Sequence, residues 1–244
     1  MGGCVQSLPQ VIQDLWCAVS PQHADLVIND RRFTVLGVLG EGGYGFVYLV
    51  RDSQRKEYAV KKILAQSAEQ VEAAKTEVDV ARRLTHKNLL PLIEASIGPS
   101  PTDQEVTQVC MLFPAYKEGT LLELLQRHHA EGTRLKDAEV LGIFRQVCEG
   151  VQAMHRCQPP LAHRDIKPGN VLLSHAPRRM PLGVEAPGAD TSPEAVLMDF
   201  GSARPARARV SSRREALALQ EMAEAHSSAP FRAPELFDVP SECE

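Results

Sequence analysis

His163-Arg164-Asp165-Ile166-Lys167-Pro168-Gly169-Asn170 decides the organisation of this chain. The stretch gathers an imidazole, a carboxylate, an ammonium and a carboxamide between a helical pattern and an extended one. Upstream, Asp137–His155 places Val140, Phe144, Val147, Val151 and Met154 along one stripe, the spacing of an amphipathic helix. Downstream, Asn170–Leu173 and Ala195–Met198 read as short strands. Residues 174–194 between them are rich in Pro, Gly and Ala and read as a flexible insertion. The second strand runs into Asp199-Phe200-Gly201, and Ala233-Pro234-Glu235 comes later.

Toward the N-terminus the pattern changes to strands. Arg32–Gly40, Phe46–Arg51, Glu57–Ile63, 89–98 and 108–114 are extended runs, and Ser67 with Gln70 opens a helix to about Leu84. A shorter helix covers Thr120–Ala130. A strand-rich half at 31–113, a connection at 114–116 and a helical half at 117–244 predict an α+β protein of two lobes around a cleft.

Gly40-Glu41-Gly42-Gly43-Tyr44-Gly45 matches G-x-G-x-x-G. Alone it fits an ordinary glycine-rich hairpin as well as a dinucleotide-binding turn. The run Phe46-Val47-Tyr48-Leu49-Val50 after it is strand-like, not helical, which suits a hairpin flap able to lie close over phosphates. Lys61 falls inside the strand Tyr58-Ala59-Val60-Lys61. On the helix after it, Val71, Ala74, Val78 and Ala81 form the buried stripe. Glu77 sits at the stripe's margin, while Glu72 and Asp79 point further away.

These motifs, in this order, resemble the eukaryotic protein kinases across residues 31–240. The resemblance implies a two-lobed kinase fold that uses ATP and Mg2+ and acts on protein hydroxyls. Gly40, Gly42 and Gly45 would cover the phosphates. Lys61 would hold the α- and β-phosphates, with Glu77 orienting it. Asp165 would accept the substrate's proton and Lys167 would steady the γ-phosphate. Asn170 and Asp199 would hold the metal. Leu39, Val47, Ala59 and Leu172 would enclose the adenine. Phe113 would be the gatekeeper, the Pro114 carbonyl would meet the adenine first, and the Tyr116 amide would follow. Lys167 and Ser228 favour serine/threonine over tyrosine transfer.

Between Gly201 and Ala233, Ser212-Arg213-Arg214-Glu215 reads as a capping box that opens a helix over 216–225. A helix within the activation segment 199–235 resembles the Numb-associated kinase family, and its myristoylated and palmitoylated branch in particular. Met1-Gly2 and Cys4 fit such acylation, although Gln6 departs from the simple motif. One acyl chain anchors only marginally, so Cys4 or the amphipathic pattern at 8–19 has to supply a second signal. The expectation is a cytoplasmic protein able to reach Golgi or perinuclear membranes. Arg204, Arg207, Arg209, Arg213 and Arg214 form a basic stretch with no acid between Asp199 and Glu215, read as a solvated loop or a dock for an acidic partner.

Composition removes other classes. The chain has 244 residues, 43% hydrophobic and 24% charged, which excludes wholesale disorder. A net charge of -4 disfavours a general nucleic-acid binder. No apolar run approaches the roughly 18 residues of a membrane span, and the start lacks a secretory pattern. Six cysteines without metal-ligand spacing read as thiols. The chain stops shortly after Glu235, so a second lobe truncated after that motif is expected, with the apolar surface of Val140–Met154 and the segment after Phe231 only partly covered. The alternative function is a nucleotide-binding or interaction module without turnover.

Overall fold

The computed structural model describes residues 25–42, 45–174 and 193–241. The readings at Gly2, Cys4, 8–19, Gly43 and most of 174–194 fall outside them. The chain divides into two compact units, one of residues 1–68 with 93–115 and one of 69–92 with 116–244.

The first unit is built on an antiparallel sheet of β1 (Asp25–Ile28), β2 (Arg31–Gly42), β3 (Gly45–Arg51), β4 (Glu57–Ala65), β5 (Glu94–Pro99) and β6 (Thr107–Pro114), in the order β1-β2-β3-β4-β6-β5. β1 lies ahead of Arg32–Gly40, the first run that the sequence marks as extended. Asp25-Leu26-Val27-Ile28 alternates exposed and buried, and Asn29, with φ 50°, turns the chain back into β2. β5 starts at Glu94 and not at 89. The backbone just before it serves the other unit, where Leu90 N donates to Leu197 O and Leu197 N to Asn88 O, both at 2.9 Å.

Alternation gives this sheet two faces. One buries Leu26, Ile28, Phe33, Val50, Tyr58, Val60, Cys110 and Leu112 as a single cluster. Each such side chain contributes about 1.5–3 kcal/mol. The Arg31 guanidinium closes its rim, 4.9 Å from the Phe33 ring centre and bonded to Glu94 at 3.2 Å. On the opposite face, the register sets Gly40 against Val47, Val47 against Lys61 and Lys61 against Met111. Ala59 and Phe113 form the neighbouring pair on that same face.

The second unit holds α1 (Ala68–Arg83), α2 (Leu121–Ala130), α3 (Asp137–His155) and α4 (Arg213–His226). It also holds two ribbons, β7 (Leu161–Ala162) with β10 (Arg204–Pro205), and β8 (Val171–Ser174) with β9 (Glu194–Leu197). Apart from its first residue, α1 partitions here and not with the strand-rich half into which the sequence places it. Thr120 caps α2 reciprocally. Its hydroxyl accepts from Glu123 N at 3.3 Å, and its own N–H donates to Glu123 Oε2 at 2.6 Å.

The buried face of α3 is not the expected stripe. Gly142, Ile143, Gln146, Gly150 and Met154 face inward, while Val140 and Phe144 are 48% and 65% exposed. That exposure matches the expectation that this apolar surface is only partly covered; the inward face centres on Gln146, a polar residue the hydrophobic count passes over. Its Oε1 accepts from Asn88 Nδ2 at 3.2 Å and from Ala195 N at 3.1 Å. Its Nε2 donates to Gly142 O at 3.2 Å and Pro193 O at 3.0 Å. Asn88 Nδ2 also donates to Ala195 O at 2.8 Å. Two side-chain amides thus satisfy backbone groups along β9, which a buried strand would otherwise leave unpaired. Among the described residues, no helix is long and apolar enough to cross a membrane.

Candidate active site

β7 fixes the chain just before His163. The His163 ring is buried and edge-on to Phe200, with centroids 5.8 Å apart. Its Nδ1 accepts from the Asp165 amide at 3.3 Å, so Nε2 carries the proton and donates to Met198 O at 3.0 Å. One neutral imidazole therefore spans the loop that carries Asp165 and the strand end that carries Asp199. Arg164 takes a left-handed conformation, φ 69°, which turns Asp165 back toward the loop.

Three groups converge on the Asp165 carboxylate. Lys167 Nζ lies 2.7 Å from Oδ2, Asn170 Nδ2 lies 3.1 Å from Oδ2, and Ser228 N donates to Oδ1 at 3.0 Å. Burial alone would lift this carboxyl. Hydrogen bonds from Lys167 and Ser228 outweigh it and hold the group below the usual carboxylate range. Lys167 Nζ also meets Ser228 Oγ at 2.7 Å. Asn170 spends its amide hydrogens on Asp165 O, at 2.8 Å, and Asp165 Oδ2. Only its Oδ1, a hard oxygen donor, remains for a cation. That donor set suits Mg2+, which takes few protein ligands beside waters and phosphates. No denser cluster of metal-ligating side chains occurs among the described residues.

Asp199 is exposed, with φ 65° and ψ 80°. It lies near Glu77 of α1 across Gly201. A Cβ built at Gly201 would stand 3.3 Å from Glu77 Oε2 and 3.5 Å from Asp199 Oδ1. Glu77 is half-buried at the margin of α1, whereas Glu72 and Asp79 are exposed, as the spacing predicts.

α4 extends the site. Ser212 caps it, accepting from Glu215 N at 3.3 Å, but the return bond of the expected capping box goes elsewhere. Glu215 Oε2 accepts from the N–H and hydroxyl of Ser211, at 2.7 and 2.9 Å. Toward its far end α4 meets the loop that carries Asp165. Arg164 Nη1 donates to Met222 Sδ at 3.3 Å, Ser202 Oγ donates to His226 O at 2.6 Å, and Arg232 Nε donates to Ser227 Oγ at 2.9 Å.

The protein kinase domain model matches residues 33–242. This chain belongs to the protein kinase family. Its relatives are serine/threonine kinases. A probable serine/threonine-protein kinase of Dictyostelium discoideum is 34% identical over 92% of this chain and 73% of its own length. Serine/threonine-protein kinase 16 of Rattus norvegicus is 34% identical, and that of Homo sapiens 33%, over 89% of this chain. The kinase chain spans 65% of the length of both.

The structure thus gathers Asp165, Lys167 and Asn170 around one carboxylate and sets Glu77 and Asp199 beside Gly201. In the first unit of the kinase, Val47, Ala59 and Lys61 share a sheet face with Gly40. Leu39 is 53% exposed at a bulge of β2, and Pro114 ends β6 opposite Tyr58. Gly45 lies so close to β4 that a Cβ there would run into the Lys62 carbonyl oxygen. Gly42 pairs with Gly45 to close the hairpin. In the second unit, Leu172 lies on β8 opposite Val196. Tyr116 is half-buried, and burial followed by the charge of Glu194 raises its phenol above the ordinary value. Sequence reasoning used Ser228 as a class marker but missed its amide as a partner of Asp165. No motif signals it, because the contact joins residues 63 positions apart.

His163 gives a pH test. Burial lowers its pKa from the ordinary 6.5, so the folded kinase keeps it neutral where the unfolded chain protonates. Its contribution is present above 6.5 and is lost as pH falls below that value. Urea midpoints should fall from about pH 8 to about pH 5.5, and less steeply in His163→Asn. An unchanged slope in the variant would assign the decline to other groups.

Proposed function

We propose that this chain transfers the γ-phosphate of ATP to serine and threonine hydroxyls of proteins. The observation that carries the reading is the Asp165 carboxylate, kept ionised by Lys167 and Ser228 and held beside Asn170. An ionised carboxylate there accepts the hydroxyl proton as the substrate oxygen bonds to the γ-phosphorus and the bond from that phosphorus to the bridging oxygen breaks, releasing ADP. Lys167, already between Asp165 and Ser228, is placed to stabilise transferred charge. Lys61 would hold the α- and β-phosphates in this reading. Gly40, Gly42 and Gly45 cover the phosphates. On the first unit, Leu39, Val47 and Ala59 would line the adenine and the Pro114 carbonyl would accept from it. Asn170 and Asp199 would hold Mg2+, which would neutralise phosphate charge when bound.

The test is transfer from Mg·ATP by the purified chain to peptides bearing Ser, Thr or Tyr, followed by phosphoamino-acid analysis. Phosphoserine and phosphothreonine are expected. Phosphotyrosine alone would overturn the class, and ATP binding without transfer would support the module without turnover.

The finer placement is the Numb-associated kinases, supported by α4 inside the activation segment and by the similarity to serine/threonine-protein kinase 16. Acylation at Gly2 and Cys4, with Golgi or perinuclear membranes as the destination, rests on those two residues. Gly2→Ala should move the protein to the soluble fraction, and Cys4→Ser should leave weak, reversible binding. A Gly2→Ala protein that fractionates like the parent would reject the lipid anchor.

A further inference from the structure

The basic stretch of the activation segment has no role in the chemistry above. Arg204 does not belong to its surface, because its guanidinium is half-buried and donates to Gly201 O and Ala203 O at 3.0 and 2.8 Å. Arg207, Arg209, Arg213 and Arg214 are exposed, and among the described residues none of them makes an ion pair or a side-chain hydrogen bond. The nearest acid in sequence, Glu215, is spent on Ser211. Arg213 and Arg214 have no acid three or four residues ahead on α4, where Ala216, Leu217 and Ala218 stand. Both occupy the first turn of α4, the end whose dipole repels cations. Four exposed cations thus stand within residues 207–214 of a chain whose net charge is -4.

The fold ties both ends of this stretch to the loop that carries Asp165. β10 anchors one side of the loop to β7, just before His163. On the other side α4 runs from Arg213 to His226, and Ser228 beyond it bonds Asp165. The 14 residues of α4 are about 21 Å long, which is the length between Arg213 at its start and the end that leads to Ser228. An extended peptide covers that length in roughly six residues.

We propose that this arginine stretch selects protein substrates carrying an acidic run about six residues from the accepting hydroxyl. The proposal rests on the kinase reading and deepens it. The carboxylates of such a run meet guanidiniums that have no ion-pair partner among the described residues, and planar forks match carboxylates well.

The experiment uses the full chain and pairs of serine peptides with four Glu or four Gln centred six residues before or after the serine. The Glu peptide on one side is expected to show a KM about tenfold lower than its Gln partner, from several exposed pairs acting together. The fourfold variant Arg207→Gln, Arg209→Gln, Arg213→Gln and Arg214→Gln should erase that difference and leave kcat on the Gln peptide unchanged. Fluorescence anisotropy of the same labelled peptides, without ATP, gives binding independently of turnover. Absent transfer with intact acidic-peptide binding would count against the kinase reading, not against this one. Equal KM and equal binding of Glu and Gln peptides would overturn the proposal. So would a variant that keeps the Glu preference, or one that loses binding to vesicles of phosphatidylcholine and phosphatidylserine while binding acidic peptide as before.

Discussion

Asp165→Asn is expected to lower kcat for peptide phosphorylation by about 10²–10⁴-fold, the range set by removing a positioned general base. The substitution keeps size and keeps an oxygen for the Ser228 amide. It removes the charge that Lys167 now meets at 2.7 Å. ATP affinity should change less than kcat, because Lys61 and the glycines Gly40, Gly42 and Gly45, which hold ATP in this reading, do not depend on Asp165. Steady-state rates beside equilibrium nucleotide binding make the test. A variant with the parental kcat would take the proton-accepting role away from Asp165. A large loss of ATP binding would mean that the site had collapsed, and the isosteric change would then have failed as a probe of chemistry alone.

The largest expected effect on stability lies away from the chemistry, at Gln146→Leu. Leucine fills similar volume on α3 but leaves Ala195 N–H and Pro193 C=O without the partners they now have at 3.1 and 3.0 Å. Each buried orphan costs about 1–3 kcal/mol, so a loss of about 3–5 kcal/mol is expected. That is a large share of the roughly 5–15 kcal/mol that holds a domain. The urea midpoint should drop accordingly, while Gln152→Leu on the exposed side of the same helix should stay within about 0.5 kcal/mol. Similar midpoints for the two variants would show that Gln146 only fills space. Because β9 leads into Asp199, the destabilised protein should also bind metal and nucleotide less well.

What the sequence makes legible and what it hides have separate physical causes. Periodicity over long segments located α3 at Asp137–His155 and the helix of the activation segment within a few residues. Chain-local chemistry placed Asp165, Lys167 and Asn170 together, since a tight loop leaves them little freedom to separate. The buried side of α3 escaped the hydrophobic count because two amides, from Asn88 and Gln146, do work there that apolar residues cannot. β1 was passed over because four residues carry too little pattern by themselves, and their strand character comes from pairing with β2. The Glu215 carboxylate had two hydroxyl-bearing neighbours to choose from, and only three-dimensional placement awards it to Ser211. Contacts such as Ser228 with Asp165 have no sequence signature, because they join distant positions through backbone atoms that every residue possesses.

The approach of the β2–β3 hairpin to β4 has a genetic consequence. Single-base changes in the first two positions of a glycine codon give, apart from stop codons, only residues that carry a Cβ. At Gly45 every such allele forces an atom into the Lys62 carbonyl. At Gly40, where nothing lies within 4 Å of the same added atom, alanine is sterically admitted. Two glycines of one motif therefore stand at opposite ends of mutational tolerance. Missense variants at codon 45 should be depleted for reasons of folding, and those at codon 40 only as far as nucleotide binding demands.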